Sequence, residues 1–148
     1  MDFGDSRDRE LVLDDVRVEA GWIDYNGHLN MAYYLVLFDR AADGLVDALG
    51  LSRDPGSGPT LFAVEANVRY LREVHRDHVL RCVTRVVGYD DKRVRTEQTL
   101  HHDDGTPAAT CANVHIHVAR GPNGPKVVPF ADNVRVRLDA LVLSDDRS

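Results

Sequence analysis

The chain has 148 residues, of which 43% are hydrophobic and 28% charged, and this composition predicts one soluble globular domain with its own core. A net charge of −6 argues against nucleic-acid binding, and no apolar run is long enough to cross a membrane. The acidic N-terminal segment MDFGDSRDRE contains no signal-like apolar stretch. We therefore expect a cytoplasmic protein with a flexible tail at 1–10 and a single domain at 11–148.

The first half of the chain is predicted to hold one strand and one long helix. The strand is expected at 15–20, and the polar segment WIDYNGHLN follows at 22–30. Over residues 31–49, apolar side chains recur at the three- and four-residue spacing of an amphipathic helix. Asn30 is the expected N-cap, because its side-chain oxygen can accept hydrogen bonds from the first helical turn. Gly50 is placed to end the helix.

The second half of the chain is predicted to be mainly strands. Over residues 61–70, apolar side chains at the even positions alternate with polar ones, so we expect one apolar face and one polar face that carries Glu65 and Arg69. One long helix with an apolar side needs a sheet to cover it, which predicts an α+β layer architecture. The remaining elements are expected to be strands at 78–89, 92–100 and 108–118, a Gly/Pro loop at 121–125 and a short helix at 131–142.

The segment just before the helix, Asp24-Tyr25-Asn26-Gly27-His28-Leu29-Asn30, has a pattern that carries a resemblance. An Asp-x-x-Gly segment, often followed by His-x-Asn, precedes the central helix in the hotdog-fold acyl-CoA thioesterases, and this chain resembles their 4-hydroxybenzoyl-CoA thioesterase-like group over residues 15–120. The residues WIDYNGH are similar to a subset that hydrolyses trimethylammonium acyl-CoA esters such as betainyl-CoA. The family often has a second acidic residue where this chain has Trp22.

The resemblance implies a hotdog fold, in which an antiparallel sheet of about five strands wraps around one long central helix. It implies hydrolysis of a small or short-chain acyl-CoA thioester to free acid and CoA, with no cofactor because CoA is part of the substrate. It also implies a homodimer or homotetramer with the active site between subunits. In the family, an acidic residue at the position of Asp24 attacks the thioester or activates water.

Thioester hydrolysis requires a nucleophile or base and donors for the oxyanion. Asp24 is the candidate for the first role, as nucleophile or as general base. Gly27 lets the backbone approach a ligand closely, and the free amides of the helix start attract negative charge. The further catalytic candidates are His28, which orients the loop or contacts substrate, Asn30, and Glu65, which would position water near the partner subunit's site.

Substrate binding is predicted to use basic and aromatic side chains. Arginine and lysine suit the phosphates of CoA, although a solvated strand face also accounts for each of them singly. Aromatic rings near the motif could hold a quaternary ammonium by cation–π attraction, and ordinary core packing is the alternative. The basic candidates are Arg69, Arg72, Lys92, Arg93 and Arg95, and the aromatic candidates are Trp22, Tyr25, Tyr33 and Tyr34.

Cys82 and Cys111 lack metal-ligand spacing and are expected to be reduced and buried. Two histidine pairs, His75 with His78 and His115 with His117, have no third ligand at a useful spacing, so no metal is expected.

Two rival functions stay open on the sequence. A hotdog enoyl-CoA hydratase or dehydratase would pair Asp24 with His28 for proton transfer at carbon. A non-catalytic acyl-CoA-binding module would keep its ligand when Asp24 is changed to asparagine. Fold alone does not separate these functions from hydrolysis.

Overall fold

The first strand pairs with the third, far along the chain, and this order defines the architecture of the computed structural model, which describes residues 9–54, 56 and 58–142. The sheet order is β1-β3-β4-β5-β2, all neighbouring strands are antiparallel, and β6 pairs with β5. The elements are β1 (Glu10–Arg17), α1 (Met31–Ala48), β2 (Thr60–Tyr70), β3 (Val79–Tyr89), β4 (Arg93–His102), β5 (Pro107–Gly121), β6 (Gly124–Val127) and α2 (Asp132–Leu141).

Helix α1 lies against the inner face of the sheet and forms the centre of the core. Its buried side chains include Tyr34, Leu37, Phe38 and Leu45, which follow the predicted helical spacing. The Asn30 side chain accepts a hydrogen bond from the amide of Ala32 at 2.9 Å, so the predicted N-cap is confirmed. One long helix covered by an antiparallel sheet confirms the predicted α+β hotdog architecture.

A buried polar network lies beneath the middle of α1. The Gln98 amide nitrogen donates to the backbone oxygen of Phe38 at 2.9 Å and to the Thr84 hydroxyl at 3.1 Å. The Gln98 oxygen accepts from the Asn113 amide at 2.7 Å, and Asn113 also donates to Thr96. Because nearly every polar group in this network has a partner, the network ties three strands to one turn of the helix.

The predicted position of the first strand was wrong by several residues. It was expected at 15–20, but β1 spans Glu10–Arg17. The pairing with β3 shifts register between Leu13 and Val16, and Asp15 adopts a positive φ of 54°. The bulge explains the misplacement, because it interrupts the alternation that a sequence pattern relies on. The predicted tail at 1–10 falls largely outside the described residues, and Glu10 belongs to the strand.

The single apolar face predicted for β2 was also wrong. The pairing with β5 shifts register between Ala63 and Glu65, so side-chain alternation reverses there. Val68 packs against the core beneath α1, whereas Phe62 lies on the opposite face beside the guanidinium of Arg120. Phe62 is 37% exposed and Val64 54% exposed, because β2 is the last strand of the described sheet.

The C-terminal elements complete a second part of the core. Val134 and Leu138 of α2 are buried as predicted, and they pack with Leu45 of α1 and Phe130. The residues predicted as a Gly/Pro loop at 121–125 instead form a tight turn into β6, which is a sixth strand beyond the five expected. Within the described residues, neither helix has both the length and the apolar character needed to cross a membrane.

The two cysteines are buried and free, as predicted. Burial raises the pKa of the Cys82 thiol to about 12, and the neighbouring Cys111 adds to this effect. A thiol with so high a pKa stays protonated and unreactive at neutral pH. Both cysteines therefore act as small core side chains.

Candidate active site

The loop before α1 closes on itself through its own backbone. The Asp24 amide donates to the oxygen of His28 at 2.9 Å, and the Asn30 amide donates to the oxygen of Trp22 at 2.9 Å. Gly27 forms the turn: its amide donates a hydrogen bond to the backbone oxygen of Asp24 at 3.0 Å, and its φ is 80°. This φ favours glycine, which explains the residue without requiring contact with a ligand.

The Asp24 carboxylate has one oxygen engaged in this loop and one oxygen free. Its Oδ1 accepts hydrogen bonds from the amides of Asn26 at 2.9 Å and His28 at 3.3 Å. Its Oδ2 accepts none from the described residues. The first oxygen fixes the orientation of the carboxylate, and the second is left available to a reacting group.

A second loop, at 71–78, holds the motif loop from the side. The Leu29 amide donates to the Val74 oxygen at 2.7 Å, and His28 and His75 form an antiparallel bridge. The His28 imidazole Nε2 lies 3.0 Å from a carboxylate oxygen of Glu73. His28 therefore contacts Asp24 only through its backbone, and its side chain is directed to the second loop.

A cavity of about 510 Å³ opens where these two loops meet the start of α1. Five of the predicted site residues line it: Asp24, His28, Asn30, Tyr34 and Arg72. The other five lining residues were not predicted to belong to the site, and they are Leu29, Met31, Tyr70, Leu71 and Glu73. The cavity thus combines two carboxylates, a histidine and two tyrosines around one helix start.

The two tyrosines form one wall of the cavity. The rings of Tyr34 and Tyr70 are 4.9 Å apart in an edge-to-face arrangement, and the Tyr70 hydroxyl donates to the Met31 oxygen at 3.1 Å. Burial raises the pKa of Tyr34, and the nearby Tyr70, Glu73 and Asp24 raise it further. Tyr34 therefore stays neutral across the physiological pH range.

The start of α1 offers a hydrogen-bond donor at the cavity. The Ala32 amide is taken by the Asn30 cap, and the Tyr33 amide donates to the Asn30 oxygen. The Met31 amide, one residue earlier, donates to no described residue. A free amide at a helix N-terminus attracts a developing negative charge, so the Met31 amide is the candidate oxyanion donor.

Three of the aromatic candidates lie outside this cavity. Trp22 and Tyr33 stack on each other with ring centroids 5.4 Å apart, and the Arg40 guanidinium lies 4.9 Å from the Trp22 centroid. Trp22 is buried in the core, so its faces are already occupied by protein groups. Tyr25 is 97% exposed at the tip of the turn.

The remaining polar candidates lie on other parts of the sheet. Glu65 and Arg69 are exposed on β2, and Arg69 points to the outer face because Val68 and Tyr70 on either side of it face the helix. In β4, Leu100 is in register with Tyr70 through Ala109 of β5. Arg95 and Arg93 precede Leu100 by five and seven residues, which places them roughly 17 and 24 Å along the sheet from Tyr70.

Three basic candidates lie in or just after the turn between β3 and β4 and make local contacts, namely Lys92, Arg93 and Arg95. The hydrogen bond from the Lys92 backbone amide is the largest cause that lowers the pKa of Asp90 to about 2. The Arg93 guanidinium, 2.7 Å from the Asp90 carboxylate, lowers this pKa further. The Arg95 guanidinium lies directly against Gly88, because a Cβ atom added to this glycine would be only 2.2 Å from Nη2 of Arg95. None of the three reaches the cavity of its own chain.

Tyr70 and Glu73 could not be assigned to the site from local sequence signals. They stand 40 and 43 positions after Asn30, the last residue of the motif, at the end of a strand and in the loop that follows it. Only the pairing between the 22–30 and 71–78 loops brings them to Asp24. Met31 was covered by the prediction that the helix start contributes to the site, although the residue itself was not named.

Comparison with known proteins assigns the family. A family model described as the thioesterase-like superfamily matches residues 18–138. A betainyl-CoA thioesterase of Pseudomonas aeruginosa is 36% identical over 135 residues, covering 88% of this chain and 83% of that protein. A 4-hydroxybenzoyl-CoA thioesterase variant with bound 4-hydroxybenzoyl-CoA superposes with a TM-score of 0.77 at 14% identity, covering 88% of this chain and 99% of that chain, and shows the shared fold.

The chain belongs to the thioesterase-like superfamily, so the predicted hotdog fold and the predicted class of thioester hydrolase are confirmed at the level of the family. A bifunctional L-carnitine dehydrogenase/betainyl-CoA thioesterase of Agrobacterium fabrum is also 36% identical, over 125 residues and 84% of this chain. The match covers only 26% of that longer protein.

Proposed function

We propose that this chain is an acyl-CoA thioesterase that hydrolyses a small quaternary-ammonium acyl-CoA of the betainyl class to the free acid and CoA. The observation that carries the proposal is the Asp24 carboxylate, which is fixed through one oxygen and has its other oxygen free beside the helix start. The names of two relatives at 36% identity support the same substrate class.

In the proposed reaction, the thioester carbonyl lies between Asp24 and the amide of Met31. Asp24 Oδ2 attacks the carbonyl carbon, or removes a proton from the water that attacks it. The negative charge that forms on the carbonyl oxygen is stabilised by the Met31 amide and the helix N-terminus. The C–S bond then breaks, and CoA leaves as its thiolate, which takes up a proton from water. Where Asp24 itself attacked, the acyl group remains on its carboxylate as a mixed anhydride, and water hydrolyses this to the free acid and restores Asp24. Asp24 and the Met31 amide belong to the chain, so we propose that the reaction needs no cofactor.

The walls of the cavity favour a cationic acyl group. The electron-rich face of Tyr70, which is 47% exposed and packs edge to face against the buried Tyr34, attracts a quaternary ammonium, and the Asp24 carboxylate adds negative charge. A trimethylammonium group has no N–H to donate, so rings and diffuse negative charge suit it better than fixed acceptors. Tyr70, supported by the ring of Tyr34, thus replaces the larger aromatic set expected from the sequence.

We predict that Tyr70→Leu lowers kcat/KM for betainyl-CoA about tenfold, because a desolvated cation–π contact is lost. The neutral isostere tert-butylacetyl-CoA, in which carbon replaces the ammonium nitrogen, should lose much less. Release of the CoA thiol, followed with a chromogenic thiol reagent, measures both substrates.

Tyr70→Phe is the matched control for this prediction. It keeps the ring but removes the hydroxyl that donates to Met31, so it separates cation binding from support of the helix start. Equal losses for the cationic and neutral substrates in Tyr70→Leu would contradict the cation–π role and leave hydrolysis itself untouched as a proposal.

The hydratase alternative is less well supported by the geometry. It would need Asp24 and His28 as a side-chain pair, but the His28 imidazole is directed at Glu73. A panel of betainyl-, acetyl-, aromatic and long-chain acyl-CoA esters, together with an enoyl-CoA, tests the choice. Thiol release from betainyl-CoA supports the proposal; hydration of the enoyl-CoA without thiol release, or binding without turnover, would overturn it.

We also propose that the chain forms a homodimer, alone or within a tetramer, through the free edge of β2. Eleven residues of this strand have β5 on one side and no described strand on the other. Phe62, Val64 and nearby Leu35 of α1 leave apolar surface exposed along this edge. Unpaired strand edges are unfavourable in solution unless a partner covers them.

The dimer proposal predicts that light scattering gives two or four times the chain mass of 16.5 kDa for the wild type. Val64→Lys should shift the distribution toward monomer, because it places a charge in the apolar edge. Val136→Lys is the matched control, since Val136 is 68% exposed on α2, away from this edge. A monomeric wild type would contradict the proposal, as would equal masses for both variants.

A further inference from the structure

Three metal-ligating side chains converge beside the cavity. The Nε2 atom of His28 lies 3.0 Å from one oxygen of Glu73, and the Nε2 atom of His75 lies 3.7 Å from the other oxygen. One ligand atom from each of the three residues lies within 4.8 Å of the other two. The proposed hydrolysis uses neither His75 nor the histidine–carboxylate contacts, so this cluster has no role in it.

The backbone holds these ligands in place. His28 and His75 are partners in an antiparallel bridge, and the Leu29–Val74 hydrogen bond of 2.7 Å lies next to it. The two imidazole rings meet edge to face with centroids 4.7 Å apart. Two histidines on adjacent chain segments, with a carboxylate two residues before one of them, are therefore presented together by the fold and not by flexible side chains alone.

The spacing suits a transition-metal ion. Ligand atoms placed 2.0–2.2 Å from one tetrahedral ion lie about 3.3 Å from each other. The two nitrogen–oxygen separations, each to a different oxygen of Glu73, are 3.0 and 3.7 Å and lie on either side of this value. One ligand atom of each residue lies within 4.8 Å of the other two, so a small movement of the side chains brings all three to one ion. Two imidazoles and one carboxylate match the ligands that Zn²⁺ and its neighbours in the transition series accept.

We propose that His28, Glu73 and His75 bind one divalent transition-metal ion of the zinc class. Three protein ligands leave at least one coordination position, which is open to water because the three side chains are between 35% and 58% exposed. The ion lies at the rim of the cavity, since His28 and Glu73 also line it. The proposal does not depend on the proposed hydrolysis.

His78 does not complete the ligand set through its Nδ1 atom. That atom accepts a hydrogen bond from the His75 amide at 3.0 Å. This contact orients the segment that carries His75, and the two rings meet edge to face. The sequence pair of His75 and His78, at which no metal was expected, is thus not the proposed ligand pair, and the partner of His75 comes from the motif loop instead.

The test uses tag-free, chelator-treated protein titrated with ZnCl₂ in a calorimeter. The wild type should bind one Zn²⁺ per chain, and Co²⁺ should give a visible absorption band that Zn²⁺ removes. His75→Ala and Glu73→Gln should each weaken Zn²⁺ binding at least about tenfold, because each removes a ligand. His101→Gln is the control, since His101 bonds to Gly105 outside the cluster.

Two results would overturn the proposal. The first is a chelator-treated wild type that binds no Zn²⁺. The second is an unchanged affinity in both ligand variants, which would place the ion elsewhere. Glu73→Gln keeps the size of the side chain on an exposed position, and its circular dichroism spectrum will show whether it is folded, so a misfolded His75→Ala protein does not leave the question open.

Discussion

Asp24→Asn is expected to lower kcat for acyl-CoA hydrolysis at least about a hundredfold. Asparagine keeps the side-chain oxygen that accepts from the amides of Asn26 and His28, so the turn is preserved. It lacks the negative charge needed to attack a carbonyl carbon or to take a proton from water. The rate of CoA thiol release at saturating betainyl-CoA measures the effect.

The control for this variant lies two residues away. Asn26 contributes its backbone amide to the turn, and the Asn26→Ala variant keeps that amide. It should retain wild-type activity, whereas Asp24→Asn should bind substrate and release little thiol. Equal rates of thiol release in Asp24→Asn and wild type would show that the carboxylate serves only to build the turn.

Gln98→Ala is expected to lower the free energy of unfolding by about 2–4 kcal/mol. The substitution leaves a cavity beneath α1, and it removes the partner that the Asn113 amide contacts at 2.7 Å and the partner of the Thr84 hydroxyl. Buried polar groups that lose their partners cost more than the bond itself contributed. Urea denaturation followed by circular dichroism measures the change.

Glu97→Ala provides the matched control on the same strand. Glu97 is the neighbour of Gln98 in β4, but it is exposed on the outer face, so its loss should change stability by less than about 0.5 kcal/mol. If both variants lost the same small amount, the polar network would contribute nothing specific to the attachment of the helix.

Local patterns were sufficient to predict the elements whose periodicity is unbroken. Helix α1 has an uninterrupted apolar stripe, a capping residue in Asn30 and a glycine at its end, and each of these signals lies within the element itself. Val134 and Leu138 were assigned to the core for the same reason. The bulges in β1 and β2 could not be predicted, because they depend on the strand that pairs with each of them.

The residues of the candidate site also differ in whether a local sequence pattern could predict them. Asp24, His28 and Asn30 are near one another in the sequence, and the structure places all three on the cavity. Glu73 and Tyr70 reach it through strand pairing, which no local pattern specifies. Of the basic residues predicted to bind CoA, only Arg72 lines the cavity. Arg69 faces the outer side of β2, and the other three lie in the turn between β3 and β4 or in β4 itself.

The hydrogen bond from the Leu29 amide to the Val74 oxygen has a consequence for how the site forms during folding. It joins residues 45 positions apart, so closing it carries the entropic cost of a long loop. A fragment ending after α1 would contain the whole motif from Asp24 to Asn30 and still lack the segment that braces it. The motif loop is therefore supported from the side only when the 71–78 loop is in place, and hydrogen exchange at the Leu29 amide measures the free energy of opening this contact.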